Sequence, residues 1–226
     1  IGNTADQSWR IMLGIMAIPS IIFLLLLFFV PESPRWLVIA KGKINEAKEI
    51  LNIIDPSSVV ESLNAMSVKS ESTNFASLIS GKYNFSIFLA FIIAFFNQLS
   101  GINAVIYYAP RILQEVGLGA KVALLSTVGI GMVNLIFTML GLRLIDQFGR
   151  RILMYIGSIG YIISLASVSL AFYLGTGSAF VPILLFVFIA SHAIGQGAVI
   201  WVFISEIFPN KVRSLGMSLG STTHWI

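Results

Sequence analysis

The sequence predicts an all-α membrane protein, and three observations carry that reading. Five long apolar stretches follow one another at Ile11–Val30, Phe85–Tyr108, Val122–Ile145, Ile152–Tyr173 and Val181–Phe208, and a sixth opens near Leu215. At ~1.5 Å rise per residue, each complete stretch covers the roughly 30 Å hydrocarbon core of a bilayer. Of the 226 residues, 57% are hydrophobic and 11% charged, whereas soluble domains carry about 25% charged residues. So few charges cannot coat a water-exposed surface. The basic residues also alternate between the two sides. Arg35, Lys41, Lys43, Lys48, Lys69 and Lys82 follow the first stretch, Arg143, Arg150 and Arg151 flank the junction of the third and fourth, and Lys211 and Arg213 follow the fifth. Against these eleven, the other side holds Arg10, Arg111 and Lys121. Positive loops stay in the cytoplasm, so residues 31–84, 146–151 and 209–214 are expected there.

Composition also narrows the chemistry. The net charge of +4 reflects loops rather than a basic patch, which argues against a nucleic-acid partner. With no cysteine, disulfides and thiolate metal sites are excluded. No P-loop, no nucleophile–base set and no cofactor motif stands in the sequence, so neither an enzyme nor a cofactor is expected. His192 and His224 are the only histidines, too few for a metal centre, and His192 reads as a satisfied helix-packing residue. The opening at Ile1, with no charged n-region and short apolar core behind it, predicts no signal peptide. The stop at Ile226, inside an apolar stretch, is expected of a segment of a longer protein.

The chain is expected to divide into residues 1–30, a loop end and first span; 31–84, a cytoplasmic linker with short amphipathic helices; and 85–226, a transmembrane bundle. Within the linker, Pro34 is placed to open a helix at its first turn. Ile44, Ala47, Ile50, Leu51 and Ile54 fall at helical spacing and predict an amphipathic helix over 44–54. Asp55-Pro56-Ser57-Ser58 predicts a break, and the Ser-rich run 67–80 a linker. Gly129, Gly131, Gly141, Gly157 and Gly160 predict close helix contacts.

The second stretch is interrupted by Asn97-Gln98-Leu99-Ser100-Gly101-Ile102-Asn103. Neutral amides in the middle of a span are unfavourable unless they face a cavity or one another. An amide both donates and accepts, which suits an uncharged, hydroxyl-rich ligand, but amides also serve as interhelical hydrogen bonds. On a straight helix Gln98 and Asn103 lie ~140° apart. Sharing one face requires a local break, and Gly101 is placed to supply one. Asn134 is the only amide of the third stretch, and Gly195-Gln196-Gly197 weakens the fifth.

Four strings stand in order between these spans: Pro31-Glu32-Ser33-Pro34-Arg35-Trp36; Gln98-Leu99-Ser100-Gly101-Ile102-Asn103 with Tyr107-Tyr108; Asp146-Gln147-Phe148-Gly149-Arg150-Arg151; and Trp201 with Glu206-Ile207-Phe208-Pro209-Asn210-Lys211-Val212-Arg213. Together they resemble the sugar porter family of the major facilitator superfamily, from its sixth helix to the start of its eleventh, and bacterial sugar–proton symporters within it. The resemblance implies a partial major facilitator superfamily fold: the last helix of the N-terminal half, the cytoplasmic helical linker and most of the C-terminal half. It implies a monosaccharide ligand moved by alternating access and an N-terminal half that completes the transporter.

The resemblance also assigns roles. Gln98, Asn103, Asn134 and Trp201 match sugar-contacting positions, an indole offering both an apolar face and an N–H. Asn97 stands at a sugar-contacting position where the family commonly has Gln; it is shorter, so that contact is expected to be lost or replaced by water. Gln196 replaces a family proline region and is expected near the cavity. His224 and Trp225 match an amide and a tryptophan of the eleventh helix. Tyr107 and Tyr108 resemble an extracellular gate, although aromatic residues also anchor helices at the interface. Asp146, Arg150, Arg151, Glu206 and Arg213 match a cytoplasmic gate, and equally fit plain topology signals. Proton-coupled symport is favoured because Ser205-Glu206-Ile207-Phe208-Pro209-Asn210 resembles bacterial members. No acid sits in mid-span in this chain, so a facilitative uniporter and a non-transporting sugar sensor remain the alternatives.

Overall fold

In the computed structural model, residues 8–67, 75–175 and 177–226 are described. Every regular element among them is helical. The chain divides into two units, Ile1–Glu71 and Ser72–Ile226.

The first unit begins with α1, Ser8–Leu27, which ends three residues earlier than the apolar stretch suggests. Apolar residues cover its surface on every side: Leu13, Met16, Phe23 and Leu26 are all exposed within this chain, as befits a helix that meets lipid or other helices all round. Pro34 opens α2 (Pro34–Ile39) at its first position, where a missing N–H removes nothing from the hydrogen-bond ladder. Helix α3 occupies Ile44–Ile54, matching the expected bounds. Leu37, Ala47, Leu51 and Val59 are buried and form a small core between α2, α3 and α4 (Val59–Ser67). Not all of the apolar stripe turns inward, since Ile44 and Ile54 are exposed. Between α3 and α4 the Asp55 carboxylate accepts from the Ser57 N–H at 3.0 Å and the Ser57 hydroxyl at 2.6 Å. These bonds, with Ser58, favour the charged form and hold its pKa below the usual carboxylate value.

The second unit opens with α5, Phe75–Ile79, a short helix where the Ser-rich run predicted only a linker. It forms because Leu78 finds a fully buried place beside α6 and α12; residues 68–74 of that run lie outside the described residues. Then follow α6 (Asn84–Leu99), α7 (Ile102–Glu115), α8 (Ala120–Phe148), α9 (Arg150–Tyr173), α10 (Gly177–His192), a π-helical turn at Ala193–Gly197, α11 (Ala198–Glu206) and α12 (Arg213–Trp225). Among the described residues, four spans are long and apolar enough to cross a membrane: Asn84–Glu115, Ala120–Phe148, Arg150–Tyr173 and Phe180–Glu206, with a shorter apolar stretch, Leu13–Leu27, in α1.

The last of these spans is the centre of the unit. More than half of its apolar window, 56%, is buried within the chain, against 11% for Ala120–Phe148. Phe188 and Ile189 sit in a core shared with α7, α8 and α9, while Ile200, Ile204 and Phe208 sit in a second core with α5, α6 and α12. A third, formed by Ile145, Leu153, Ala198 and Val199, lies at the α8–α9 end.

Small residues set the closest approach. A β-carbon on Gly157 would stand 2.7 Å from the Gly195 Cα, so backbone meets backbone where α9 crosses the π-helical turn. Gly129, Gly141 and Gly160 also face neighbouring helices, but Gly131, expected among them, has nothing within 4 Å in this chain. Overpacking a closed contact costs about 1–3 kcal/mol. Gly157→Ala should therefore lower the thermal midpoint of the detergent-solubilised protein clearly. Gly119→Ala, at an ordinary φ of −60° with open space around it, should leave that midpoint in place.

Candidate functional site

The polar interruption of the second stretch is a break in the helix. Helix α6 ends at Leu99, and the Ser100 N–H bonds the Asn97 carbonyl at 3.2 Å to close the last turn. Gly101 then takes φ +81° and α7 starts at Ile102. An L-side chain in that left-handed conformation costs roughly 1–2 kcal/mol, which glycine avoids. Non-helical backbone at membrane depth is tolerated only where protein buries it or where it lines a cavity. The break stands in the middle of the 32-residue span Asn84–Glu115.

Around it, Gln98 and Ser100 are half-buried, and the Gln98 Oε1 and Ser100 Oγ are buried atoms with no hydrogen-bond partner. Such an acceptor is disfavoured by about 1–3 kcal/mol and calls for an explanation. Asn103 and Asn134 are also half-buried.

Asn97, one residue away, turns elsewhere. It is 4% exposed, and both ends of its amide are engaged. The His192 Nε2–H donates to Asn97 Oδ1 at 3.1 Å, and Asn97 Nδ2–H donates to His224 Nδ1 at 3.4 Å. Both ends of the Asn97 amide are thus taken up by this chain's own histidines; consecutive helical residues point ~100° apart, so Asn97 and Gln98 face different sides. His192 is satisfied, as its sequence context predicts. The His224 ring stands edge-on to Trp201 at 5.0 Å and to Trp225 at 5.1 Å, with Trp201 half-buried and Trp225 exposed.

Gln196, expected near the cavity, is buried in the seam between the π-helical turn and α9. Its Nε2–H donates to the Ser158 Oγ at 2.7 Å, and its Oε1 lies beside Gly157 without a hydrogen-bond partner. The glycines flanking Gln196 release the helix into a π-turn, which directs this side chain toward α9. Tyr107 and Tyr108 are both exposed within this chain, on α7 beyond the break.

The charged residues at the α8–α9 turn divide in two. Arg150 is a hub: its Nη2 meets Glu206 Oε1 at 2.6 Å and its Nη1 lies 3.9 Å from Asp146. This ties the start of α9 to the ends of α11 and α8. Arg151 and Arg213 stay outside the cluster. Arg151 donates to the Tyr155 hydroxyl at 3.3 Å and covers its ring, and Arg213 Nε donates to the Phe208 carbonyl at 3.4 Å. Sequence reasoning missed Ser158 and Ser100, small hydroxyls that carry no signal of their own, and the bridging role of His192, which only the fold brings to α6.

This is a multi-pass helical bundle with a polar break in one span. The chain belongs to the family described as "Sugar (and other) transporter", whose model matches residues 1–226; the family is one of transporters, not enzymes. Over 224 residues it is 34% identical to the D-xylose-proton symporter of Escherichia coli, covering 97% of this chain and 45% of that protein. It is 37% identical to the arabinose-proton symporter of Bacillus subtilis, covering 96% and 48%, and 37% identical to the glucose facilitated diffusion protein of Zymomonas mobilis, covering 91% and 44%. The proton:xylose symporter XylE bound to 6-bromo-6-deoxy-D-glucose superposes with a TM-score of 0.78 at 33% identity, over 96% of this chain and 46% of that one. The fold is thus that of the major facilitator superfamily, and the chain spans about half the length of the relatives it matches.

Replacing Gly101 tests the break directly. Gly101→Ala should lower the thermal midpoint by the equivalent of about 1–2 kcal/mol, although a β-carbon there would meet nothing within 4 Å. The strain is conformational rather than steric, so Gly101→Asn, which tolerates the left-handed region better, should recover part of the loss.

Proposed function

We propose that the full-length protein carries a monosaccharide across the bacterial inner membrane by alternating access, coupled to a proton. The observation that carries this reading is the orphaned Gln98 Oε1, a buried acceptor beside a helix break in mid-span. A sugar hydroxyl donates what that oxygen lacks. Asn103 on the far side of Gly101, Asn134 on α8 and the Trp201 indole would supply the neighbouring contacts. Relatives named as xylose- and arabinose-proton symporters support the substrate class and the proton. A facilitative mechanism is the second reading, favoured by the similarity to a glucose facilitator and by the lack of a mid-span carboxylate in this sequence.

In this reading residues 31–84, 146–151 and 209–214 lie in the cytoplasm, Tyr107 and Tyr108 close over the sugar from outside, and the rest of the transporter packs against α1 and the exposed faces of the second unit. The Asp146–Arg150–Glu206 cluster is the cytoplasmic latch. Its charges are partly exposed, Arg150 at 32% and Glu206 at 45%, so the pair contributes roughly 0.2–1 kcal/mol. That suffices to tilt an equilibrium between two nearly balanced states.

Reconstitution of the full-length protein in liposomes separates the readings. Uphill pentose or hexose uptake driven by an imposed proton gradient is expected. Downhill uptake alone would establish the facilitator, and binding without uptake a sensor. Gln98→Leu should weaken sugar binding about tenfold while holding or raising the thermal midpoint of the sugar-free protein, because it removes an unpaired acceptor. Glu206→Gln should shift the protein toward the inward-open state, read as faster labelling of cysteines placed on the cytoplasmic side.

A further inference from the structure

Phenylalanines recur along α6 between its start and the polar string, but they do not all point the same way. At ~100° per residue, Phe91 lies ~20° and Phe95 ~60° from the direction of Gln98, whereas Phe96 lies ~160° from it. Phe91, Phe95 and Gln98 therefore share one face at spacing i, i+4, i+7, with Phe91 roughly 10 Å and Phe95 roughly 4.5 Å nearer the start of the helix. Ala90 and Ala94, fully buried, mark the side of α6 that packs against the bundle. Phe91 and Phe95 stand next to that side and are 45% and 41% exposed within this chain. Their rings stack at 5.8 Å with 11° between the planes, and the Phe96 ring meets Phe95 edge-on at 5.6 Å and 82°. Two near-parallel rings present one flat apolar surface, braced from behind. Any apolar side chain satisfies lipid. A stiff ring pair directly below a residue with a buried, unpaired oxygen is a more particular arrangement, because it sets an apolar step beside a polar one.

We infer that Phe91 and Phe95 form an apolar sill on the cytoplasmic side of Gln98, which the sugar crosses when it leaves the site inward and which keeps water from following while the site faces outward. The inference rests on the transport reading above: if Gln98 faces an aqueous passage, side chains on the same face of the same helix face that passage too. The rest follows from the chemistry of the rings. A sugar carries apolar C–H faces as well as hydroxyls, and an aromatic face receives the former. It offers no strong hydrogen bond, so the sill is crossed rather than occupied. Water gains no partner there either, and a narrow apolar constriction closes by dewetting. Gln98 holds the sugar, and the rings beneath it divide the site from the cytoplasm. Phe96 is a positioning residue, its ring setting the plane of Phe95.

Cysteine labelling of the full-length protein in membrane vesicles of known orientation tests the sill. This chain has no cysteine, so a single introduced thiol is read without background once any cysteines outside it are replaced by serine. With a membrane-impermeant methanethiosulfonate on the cytoplasmic side, Phe91→Cys and Phe95→Cys should react severalfold faster than Phe96→Cys. Saturating D-xylose or D-glucose, whichever the protein takes up, should slow both reactions. Rates at positions 91 and 95 no faster than at 96, or unchanged by a transported sugar, would overturn the inference. The seal has its own readout. In sugar-free liposomes, the double variant Phe91→Ala/Phe95→Ala should raise osmotic water permeability severalfold, while Phe91→Leu/Phe95→Leu should keep it near the native value. Equal permeability in the native protein and a folded alanine variant would overturn the sealing role. If the native protein neither takes up nor binds any sugar, the transport reading fails, and the order of labelling rates at the three positions still decides whether these rings face water.

Discussion

A bilayer offers no water to a polar group that the protein fails to pair, and that constraint organises this chain. Most of its surface has adapted by being apolar. The exception is the middle of the Asn84–Glu115 span, where Gly101 breaks the helix and four polar side chains cluster within seven residues. The fold handles them in two ways. Asn97 is paired completely, between two histidines that come from α10 and α12. Gln98 and Ser100 are left with buried, unpaired oxygens. Helix rotation alone separates the two outcomes: neighbouring residues diverge by ~100°, so the seam takes one amide and the next points away from it.

The central position of the α10–π–α11 rod follows from the same constraint. A π-turn widens the helix and leaves backbone groups poorly laddered, which is tolerable only deep inside protein. Gly157 and Gly195 bring α9 close enough to bury that turn, and Gln196 bonds Ser158 across the seam. The rod thus touches α9 through backbone, α6 through His192, and the Arg150 hub through Glu206. A displacement of its lower half would be felt at the ion pair, and one of its upper half at the Asn97 amide.

Much of the fold was legible from apolar length and turn chemistry. Helix α3 lies on its expected residues, Pro34 opens α2, and the need for a break at Gly101 follows from the ~140° between Gln98 and Asn103 on a straight helix. What could not be read depends on distant residues meeting. The Ser-rich run gives no hint that Leu78 will be buried, because its partners on α6 and α12 come later in the chain. Gly131 has the same local context as Gly129, yet only Gly129 meets a neighbour, Phe186. The direction of Asn97 is likewise invisible, since a polar residue in a span carries no label for seam or cavity until the histidines are placed.

The two polar outcomes also divide the work of one helix. An amide within a span is costly only while it lacks partners. Asn97 accepts from His192 on α10 and donates to His224 on α12, so one short side chain fastens α6 to two other helices. Gln98 and Ser100 keep unpaired oxygens, and the fold carries that penalty beside the Gly101 break. A satisfied seam stabilises the bundle, whereas a polar group left open holds free energy that a hydrogen-bond donor can recover. Adjacent residues thus serve stability and leave polar capacity unused, and the ~100° rotation per residue of a single helix is what sets them apart.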